Sequence, residues 1–456
     1  MHRDIESDLL QWKNSKTHLP ILLKGARQVG KSYVVEALGK DHFENMVKIN
    51  FELSPEFKRF FENSLKPQEI IKSIELLADQ KITPSQTLLF LDEIQECPEA
   101  IMSLRYFKEL MPELHVIAAG SLLEFALEAE DFKMPVGRVQ FFHMGPLSFK
   151  EFLSANGNTQ LREYLENISW ADSIDPSIHE KCLNLLREYL ILGGMPAVLN
   201  SYFSERSYKP AQDMQSILLL AYQNDFGKYG KKGPSSIEAL KLLYQALPER
   251  VTQQFKYSYV SQDLQSRELK FALSQLVQAN IVHQVFASAG TGLPLNTLIN
   301  EKKFKLLFLD VGLLKRASNL DISLLMQENL HLVNQGSMVE QYVGQELLAY
   351  QDILTPPQVF FWATDQKNAQ AELDYLTQIN GQILPIEVKS GPYGRLKSLK
   401  IFMEQNKISL GIKTSIDPFS APSPQDKNNK DNQIASVPLY MVSEIGRLVS
   451  QYQTKQ

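Results

Sequence analysis

The chain has 456 residues, which at roughly 150 residues per domain suggests about three domains. Hydrophobic residues make up 44% and charged residues 22%, ordinary globular values that exclude a disordered or fibrous chain. The net charge of −5 excludes a globally basic nucleic-acid coat protein but leaves room for a local basic face. No apolar run approaches the roughly 20 residues that span a bilayer. The N-terminus is polar and acidic, unlike a signal peptide, and Cys97 and Cys182 share no motif. These features point to a soluble, cytoplasmic protein with no membrane partner and no zinc-ligand spacing.

In chain order, residues 20–23 read as a buried strand and 32–38 as the helix after it. Apolar residues at helical spacing follow at 69–78, then short apolar strands at 87–91 and 115–119. Strand–helix alternation of this kind predicts an α/β fold with a parallel sheet. The pattern turns helical from about 161 to 229. Three short helical patterns and a strand occupy 231–286, and strands return at 305–309, 359–362, 372–378 and 382–389. The stretch 417–432, rich in Pro, Ser, Asn, Asp and Lys, reads as a mobile surface loop. A strand at 437–442 and a helix at 443–452 close the chain.

Gly25-Ala26-Arg27-Gln28-Val29-Gly30-Lys31-Ser32 fits G-x-x-x-x-G-K-[ST] between a predicted strand and a predicted helix. Its glycines let consecutive backbone N–H groups turn inward around phosphate oxygens, at a helix N-terminus that favours negative charge. Lys31 can reach the β- and γ-phosphates of ATP, and the Ser32 hydroxyl can ligate Mg²⁺. The apolar strand 88–91 then delivers Asp92 and Glu93 at its C-terminal end, where open α/β sheets bind ligands. Asp92 would hold Mg²⁺ through water, and Glu93 would act as general base on the attacking water. Ser121, after the next strand, reads equally well as a γ-phosphate sensor or a helix N-cap. Arg138 is a candidate for stabilising transition-state charge, in its own subunit or a neighbour's in a homo-oligomer.

These elements, with Pro146-Leu147-Ser148-Phe149, Gly193-Gly194-Met195-Pro196 and Phe308-Leu309-Asp310-Val311-Gly312-Leu313-Leu314, resemble a large prokaryotic family of AAA-type ATPases with a C-terminal domain of unassigned function. The resemblance implies binding of ATP and ADP, with Ser121 as the sensor residue and Arg138 as a finger or sensor arginine.

Near the C-terminus, Ala371-Glu372-Leu373-Asp374-Tyr375 and Ile383-Leu384-Pro385-Ile386-Glu387-Val388-Lys389 flank Asn380-Gly381, a hairpin signal. Residues two apart share a face, so Glu372 joins Asp374, and Glu387 joins Lys389. Carboxylates and a lysine converging there would suit Mg²⁺ or Mn²⁺ and an activated water. The pattern resembles the PD-(D/E)xK restriction-endonuclease-like fold, with Asp374 and Glu387-Val388-Lys389 matching its motif. That resemblance adds Glu340 as a further metal ligand and makes the region before it a winged helix. Relatives often carry an Arg after the aromatic strand, where this chain has Ala363-Thr364.

Between residues 228 and 270 eight basic residues oppose four acidic ones. Arg267 and Lys270 fall on the helix expected to meet DNA, and Arg395, Lys397 and Lys400 form a second basic run. The expected division is an ATPase core at 1–160, a helical lid at 161–229, a winged helix at 230–300 and a nuclease-like domain at 301–456. Two functions remain open at this point: an ATPase coupled to DNA binding and metal-dependent DNA cleavage, or a nucleotide-switched DNA- or protein-interaction module whose nuclease fold is catalytically silent.

Overall fold

The computed structural model describes residues 1–127, 137–229, 234–323, 335–364, 371–390, 396–426 and 429–453. Lys231, Lys232 and Arg395 of the expected basic surface lie outside them. The first sheet holds β1 (Ile21–Lys24), β2 (Asn45–Asn50), β3 (Thr87–Asp92), β4 (His115–Ala119) and β5 (Gln140–His143). Its order is β2-β3-β4-β1-β5 and every neighbouring pair is parallel. β3 and β4 are buried along their whole length, as strands covered on both faces are. Alternate residues feed two cores: Ile21, Leu23, Leu88 and Phe90 face one, and Leu22, Leu89 and Leu91 face the other.

The helical pattern of residues 161–229 corresponds to helices Thr159–Asn167, Pro176–Leu192, Pro196–Glu205 and Tyr208–Asn224. Beyond it, the three helical patterns resolve into two helices, Pro234–Arg250 and Ser266–Gln278, with a single 3-10 turn at Tyr257–Tyr259 between them. Among the described residues, no single helix is long and apolar enough to cross a membrane.

The second sheet contains β6 (Val282–Ser288), β7 (Ile299–Phe308), β8 (Phe360–Ala363), β9 (Glu372–Ile379), β10 (Gln382–Val388), β11 (Leu410–Ser415), β12 (Ser420–Asp426) and β13 (Asn429–Pro438). Their order is β12-β13-β11-β10-β9-β8-β6-β7. Within it, helix Gln335–Ala349 precedes an antiparallel meander β8-β9-β10, and helix Lys397–Asn406 then leads to β11, parallel to β10.

Three expectations change here. The boundary between residues 300 and 301 falls inside β7, whose antiparallel pairing with β6 joins that hairpin to the second sheet. The supposed mobile loop at 417–432 holds β12 and the start of β13, which pair with each other at the sheet edge. An edge strand needs little apolar alternation and tolerates Pro, so its composition imitates a loop. The strand expected at 437–442 ends at Pro438, and a 3-10 turn, Leu439–Glu444, replaces the rest.

Candidate functional site: a nucleotide loop and a second acid cluster

β1 ends directly in the loop of residues 25–32. Three positive φ angles curl it, at Gly25 (142°), Gln28 (63°) and Gly30 (99°). Gly25 is also forced by space, since a Cβ there would lie 2.0 Å from the Met144 carbonyl oxygen. Helix Lys31–His42 starts at the loop's end, so its free N–H groups face the loop. The Lys31 ammonium is buried and donates to the Gly25 and Ala26 carbonyls at 2.8 and 2.7 Å. Burial lowers its pKa to about 8, against the pull of Glu93 and Asp92. A lysine held this way has charge in reserve for an incoming phosphate.

β3 brings Asp92 to the same place. The Ser32 hydroxyl lies 3.1 Å from both Asp92 oxygens. The two residues that would hold Mg²⁺ are therefore side by side, with oxygen donors of the hard kind that ion takes, and the donor set fits it. Asp92 also takes Lys48 at 3.1 Å, and Lys48 in turn meets Glu36 at 2.6 Å. Glu93 follows in the left-handed region (φ 51°) and accepts a hydrogen bond from Gln95 Nε2 at 2.7 Å. Gln95 Oε1 packs against Gly120, where a Cβ would sit 2.2 Å away. The Ser121 hydroxyl is buried without a hydrogen-bond partner, and no N-cap bond is recorded for it.

Arg27 of the loop forms an ion pair with Asp225, just after helix Tyr208–Asn224. The Arg27 carbonyl accepts from the Tyr222 hydroxyl at 2.8 Å. Arg138 goes elsewhere. β5 runs parallel to β1 with Gln140 opposite Ile21, so Arg138 lies at the start of the strands and the loop at their ends. The length of β1, about 13 Å, separates them. Arg138 is 48% exposed and pairs with Glu109 at 3.1 Å. It is not part of the nucleotide site in its own chain, because the parallel register puts it at the opposite edge of the sheet.

The C-terminal cluster has an occupant that the hairpin pattern does not reveal. Lys305 of β7 lies 2.8 Å from Glu340 and 2.6 Å from Glu372, with its side chain 2% exposed. Asp374 accepts from the Val388 N–H at 2.7 Å, and Lys389 pairs with Glu387 at 2.5 Å. Burial raises Glu340 to about 8 and Glu387 to about 7, and raises Asp374 too, against the pull of Lys305. Of the cluster's carboxylate oxygens, Glu387 Oε2 is the one recorded as buried without a partner. Among the described residues no group of three or more His, Cys, Asp or Glu is arranged to hold a metal ion. Of the expected metal set Asp374, Glu387 and Glu340, the last is paired with Lys305, which also takes the neighbouring Glu372. Lys305 itself gives a sequence signal: a lysine amid Phe304, Leu306 and Leu307 in a buried strand demands a counter-charge.

Residues 17–153 match the family described as an AAA domain. This stretch is an AAA-type P-loop ATPase domain. Residues 183–323 and 335–438 match two families described as domains of unknown function, DUF8612 and DUF4143. Solved structures with some likeness include the Walker-type ATPase PABY2304 of Pyrococcus abyssi, at 15% identity over 69% of this chain and 95% of that one, with a TM-score of 0.42. The Aeropyrum pernix ORC2 protein in its ADPNP–ADP complexes gives 11%, 70%, 94% and 0.36 by the same measures. Protein VC1899 from Vibrio cholerae gives 12%, 95%, 97% and 0.20. Likenesses this loose carry no argument about function. No curated protein matches the chain.

The ATPase domain is tied to the rest by buried polar contacts. Arg3, 5% exposed, donates to the Val29 carbonyl of the nucleotide loop at 2.8 Å and to Glu151 at 2.9 Å. Glu151 caps helix Phe149–Ala155 through the Ser148 N–H at 2.9 Å. The Phe149 N–H donates to Glu346 of helix Gln335–Ala349, also at 2.9 Å. The Leu147 N–H donates to the Gly194 carbonyl and the Gly194 N–H to Asp310, both at 2.7 Å. Segments 146–149, 193–196 and 308–314 thus meet in one joint. Burial pushes Asp310 up to about 6 and Glu346 to about 8. Nothing in the sequence points to Arg3, whose partners lie more than a hundred residues away or in the loop itself.

Proposed function

We propose that this protein is an ATP-hydrolysing switch that controls DNA binding, with a C-terminal core of restriction-endonuclease-like fold that serves interaction. The observation that carries the ATPase part is the convergence of Ser32, Asp92 and Glu93 beside the curled loop. Bound Mg²⁺, held by Ser32 and through water by Asp92, would supply charge neutralisation at the phosphates. Lys31 swings from the Gly25 and Ala26 carbonyls to the γ-phosphate. Glu93, oriented by Gln95, takes the proton of the attacking water, and the free Ser121 hydroxyl reads the γ-phosphate. We assign Arg138 to a neighbouring subunit's nucleotide in a homo-oligomer, since its own lies at the far end of the strands. Mixing Arg138→Ala with Lys31→Ala chains should then restore part of the hydrolysis each lacks, and no restoration would refute the assignment.

The DNA-binding part is supported by helix Ser266–Gln278. Its buried side carries Leu269, Ala272, Leu273 and Leu276, while Arg267, Lys270, Phe271 and Ser274 are exposed together on the other. A basic, part-aromatic helix face ahead of the β6–β7 hairpin suits a winged helix on a phosphate backbone. Arg27 connects it to the nucleotide, because its partner Asp225 lies on the short segment leading to helix Pro234–Arg250. The topology helix, β8-β9-β10, helix, β11 supports the nuclease-like assignment of the core. The cytoplasm suits the unpaired Cys97 and Cys182.

Fluorescence anisotropy of a labelled duplex, with ATP plus Glu93→Gln protein, with ADP, and without nucleotide, tests the switch. Affinity should differ between nucleotide states and fall with salt. Equal affinity in all states, or no binding, refutes it. A cleaving role has one observation in its favour, the unpartnered Glu387 Oε2 beside Lys389. Nicking of plasmid by pure protein with Mg²⁺ or Mn²⁺, lost in Glu387→Gln, would establish it.

A further inference from the structure

Lys305 belongs to a strand whose other residues are apolar from Leu306 to Phe308. It faces Val285 of β6 in the sheet, so its backbone is fixed on that side. Its ammonium has three donors. Two reach Glu340 and Glu372, and the group sits 5.0 Å from the centre of the Phe361 ring. The second Glu372 oxygen accepts from Gln254 Nε2 at 2.6 Å. Glu372 and Asp374 are two apart on β9 and share a face. β10 brings Glu387 alongside, with its own lysine, Lys389. Four carboxylates thus meet two ammonium groups, Lys305 at 2% exposure and Lys389 at 22%.

We infer that Lys305 is a resident cation that keeps divalent metal out of the C-terminal acid cluster. The inference rests on the nuclease-like reading for where a metal is expected, and it explains why none fits. A divalent ion bound to Glu340 among Glu340, Asp374 and Glu387 would share that carboxylate with the buried Lys305 ammonium, which lies 2.8 Å from it. Two like charges so placed in a medium of low polarity repel strongly. A surface lysine relieves such repulsion by swinging into solvent, but Lys305 is 2% exposed and held by both Glu340 and Glu372. Lysine and metal are alternatives for one position, and the fold supplies the lysine. The unpartnered Glu387 Oε2 is the ligand left over from the metal arrangement that Lys305 replaces.

Mn²⁺ binding to the nucleotide-free full chain, read by electron paramagnetic resonance of free Mn²⁺, tests this. Ions near Ser32 and Asp92 are set aside by counting only binding that Glu387→Gln abolishes. Wild type should show no Glu387-dependent Mn²⁺ at millimolar metal. Lys305→Met, close in length and without charge, should gain one such ion per chain, bound more than about tenfold tighter than wild type. Lys305→Arg should gain none. If Lys305→Met does not fold, Lys305→Met combined with Glu372→Gln removes one of the stranded acids and takes its place. Glu387-dependent Mn²⁺ in wild type overturns the inference, whatever the variants do. So does a folded Lys305→Met chain, single or double, that gains no ion. DNA affinity in the anisotropy experiment is read separately, so loss of nucleotide control there would leave this result standing, and the reverse holds too.

Discussion

The two acid clusters of this molecule look alike in sequence and differ in where their counter-charge comes from. At the nucleotide site Asp92 stands at the end of a buried strand with Lys48 beside it, and Lys48 is 31% exposed and shared with Glu36. At the C-terminal cluster the acids come from β9, β10 and helix Gln335–Ala349, and Lys305 is buried among them at 2% exposure. The first lysine can leave for solvent when a metal arrives, and the second cannot. Acidic residues at strand ends therefore do not define a metal site by themselves. The mobility of the cation already present decides.

The largest expected effect tests whether the first cluster is the chemically active one. Glu93→Gln should reduce ATP hydrolysis by on the order of a hundredfold or more, since the general base is lost while the phosphate contacts stay. Nucleotide affinity should hardly change. Lys31→Ala should instead weaken nucleotide binding itself. Phosphate release and a fluorescent-nucleotide titration measure the two. Equal hydrolysis by wild type and Glu93→Gln would remove Glu93 from its role and erase the contrast between the clusters.

The ATPase sheet was legible to the extent that its strands are buried. β1, β3 and β4 are continuous apolar runs because neighbours cover both faces. β2, with Val47 and Ile49 buried and Lys48 exposed between them, offers only a short alternation. The loop and the Asp92-Glu93 pair are legible because local spacing fixes them. Lys48 and Asp225 are not, since strand order and lid packing, rather than spacing, bring them in. At the second cluster, the β9–β10 hairpin follows from Asn380-Gly381 and the alternation around it. What spacing hides is that β7 and helix Gln335–Ala349 enter the same cluster from far away in the chain, with Lys305 and Glu340.

The second expected effect is on stability. Lys305→Met leaves the buried Glu340 and the part-exposed Glu372 without their cation. Removing one partner from a buried ion pair costs about 3–5 kcal/mol. Urea unfolding should show the midpoint falling at an unchanged slope. A loss below about 1 kcal/mol would mean that the cluster is as open to water as a surface pair, and the distinction drawn between the two lysines would fail.

A third effect concerns the joint between the regions. Glu346 is raised from the usual range to about 8, chiefly by burial, with Glu151 and Asp4 adding to the rise and the Phe149 N–H and Lys150 opposing it. The native chain keeps this proton after the unfolded chain has lost it. The contribution to stability is therefore complete below about pH 4.5 and is lost as pH rises towards about 8. Glu340 and Glu387 add to the same slope. On the acid side, His115, His143 and His283 are lowered to about 4 by burial, so the unfolded chain binds protons first and stability falls as pH drops from about 6.5 to about 4. Glu346→Gln should flatten the fall in Tm between about pH 4.5 and 8 and leave the profile below about pH 4.5 unchanged. Identical Tm profiles for the two proteins would show that Glu346 ionises freely.

The smallest effect is the most direct check on the comparison. Lys48→Met removes the cation beside Asp92, as Lys305→Met removes the one beside Glu340. Lys48 is partly exposed, and water already screens its attraction to Asp92 and Glu36. Asp92 also keeps three other donors, the Ser32 hydroxyl at 3.1 Å, the Glu93 N–H at 3.2 Å and the Asn50 amide at 3.4 Å. The stability loss should therefore stay within about 1 kcal/mol, the range of exposed pairs. Metal affinity with nucleotide bound should rise or hold, because no ammonium then competes for Asp92 Oδ2. A loss of several kcal/mol, or weaker Mg²⁺ binding with ATP, would mean that Lys48 is as fixed as Lys305. The two clusters would then differ in the loop beside them and not in the freedom of their lysines.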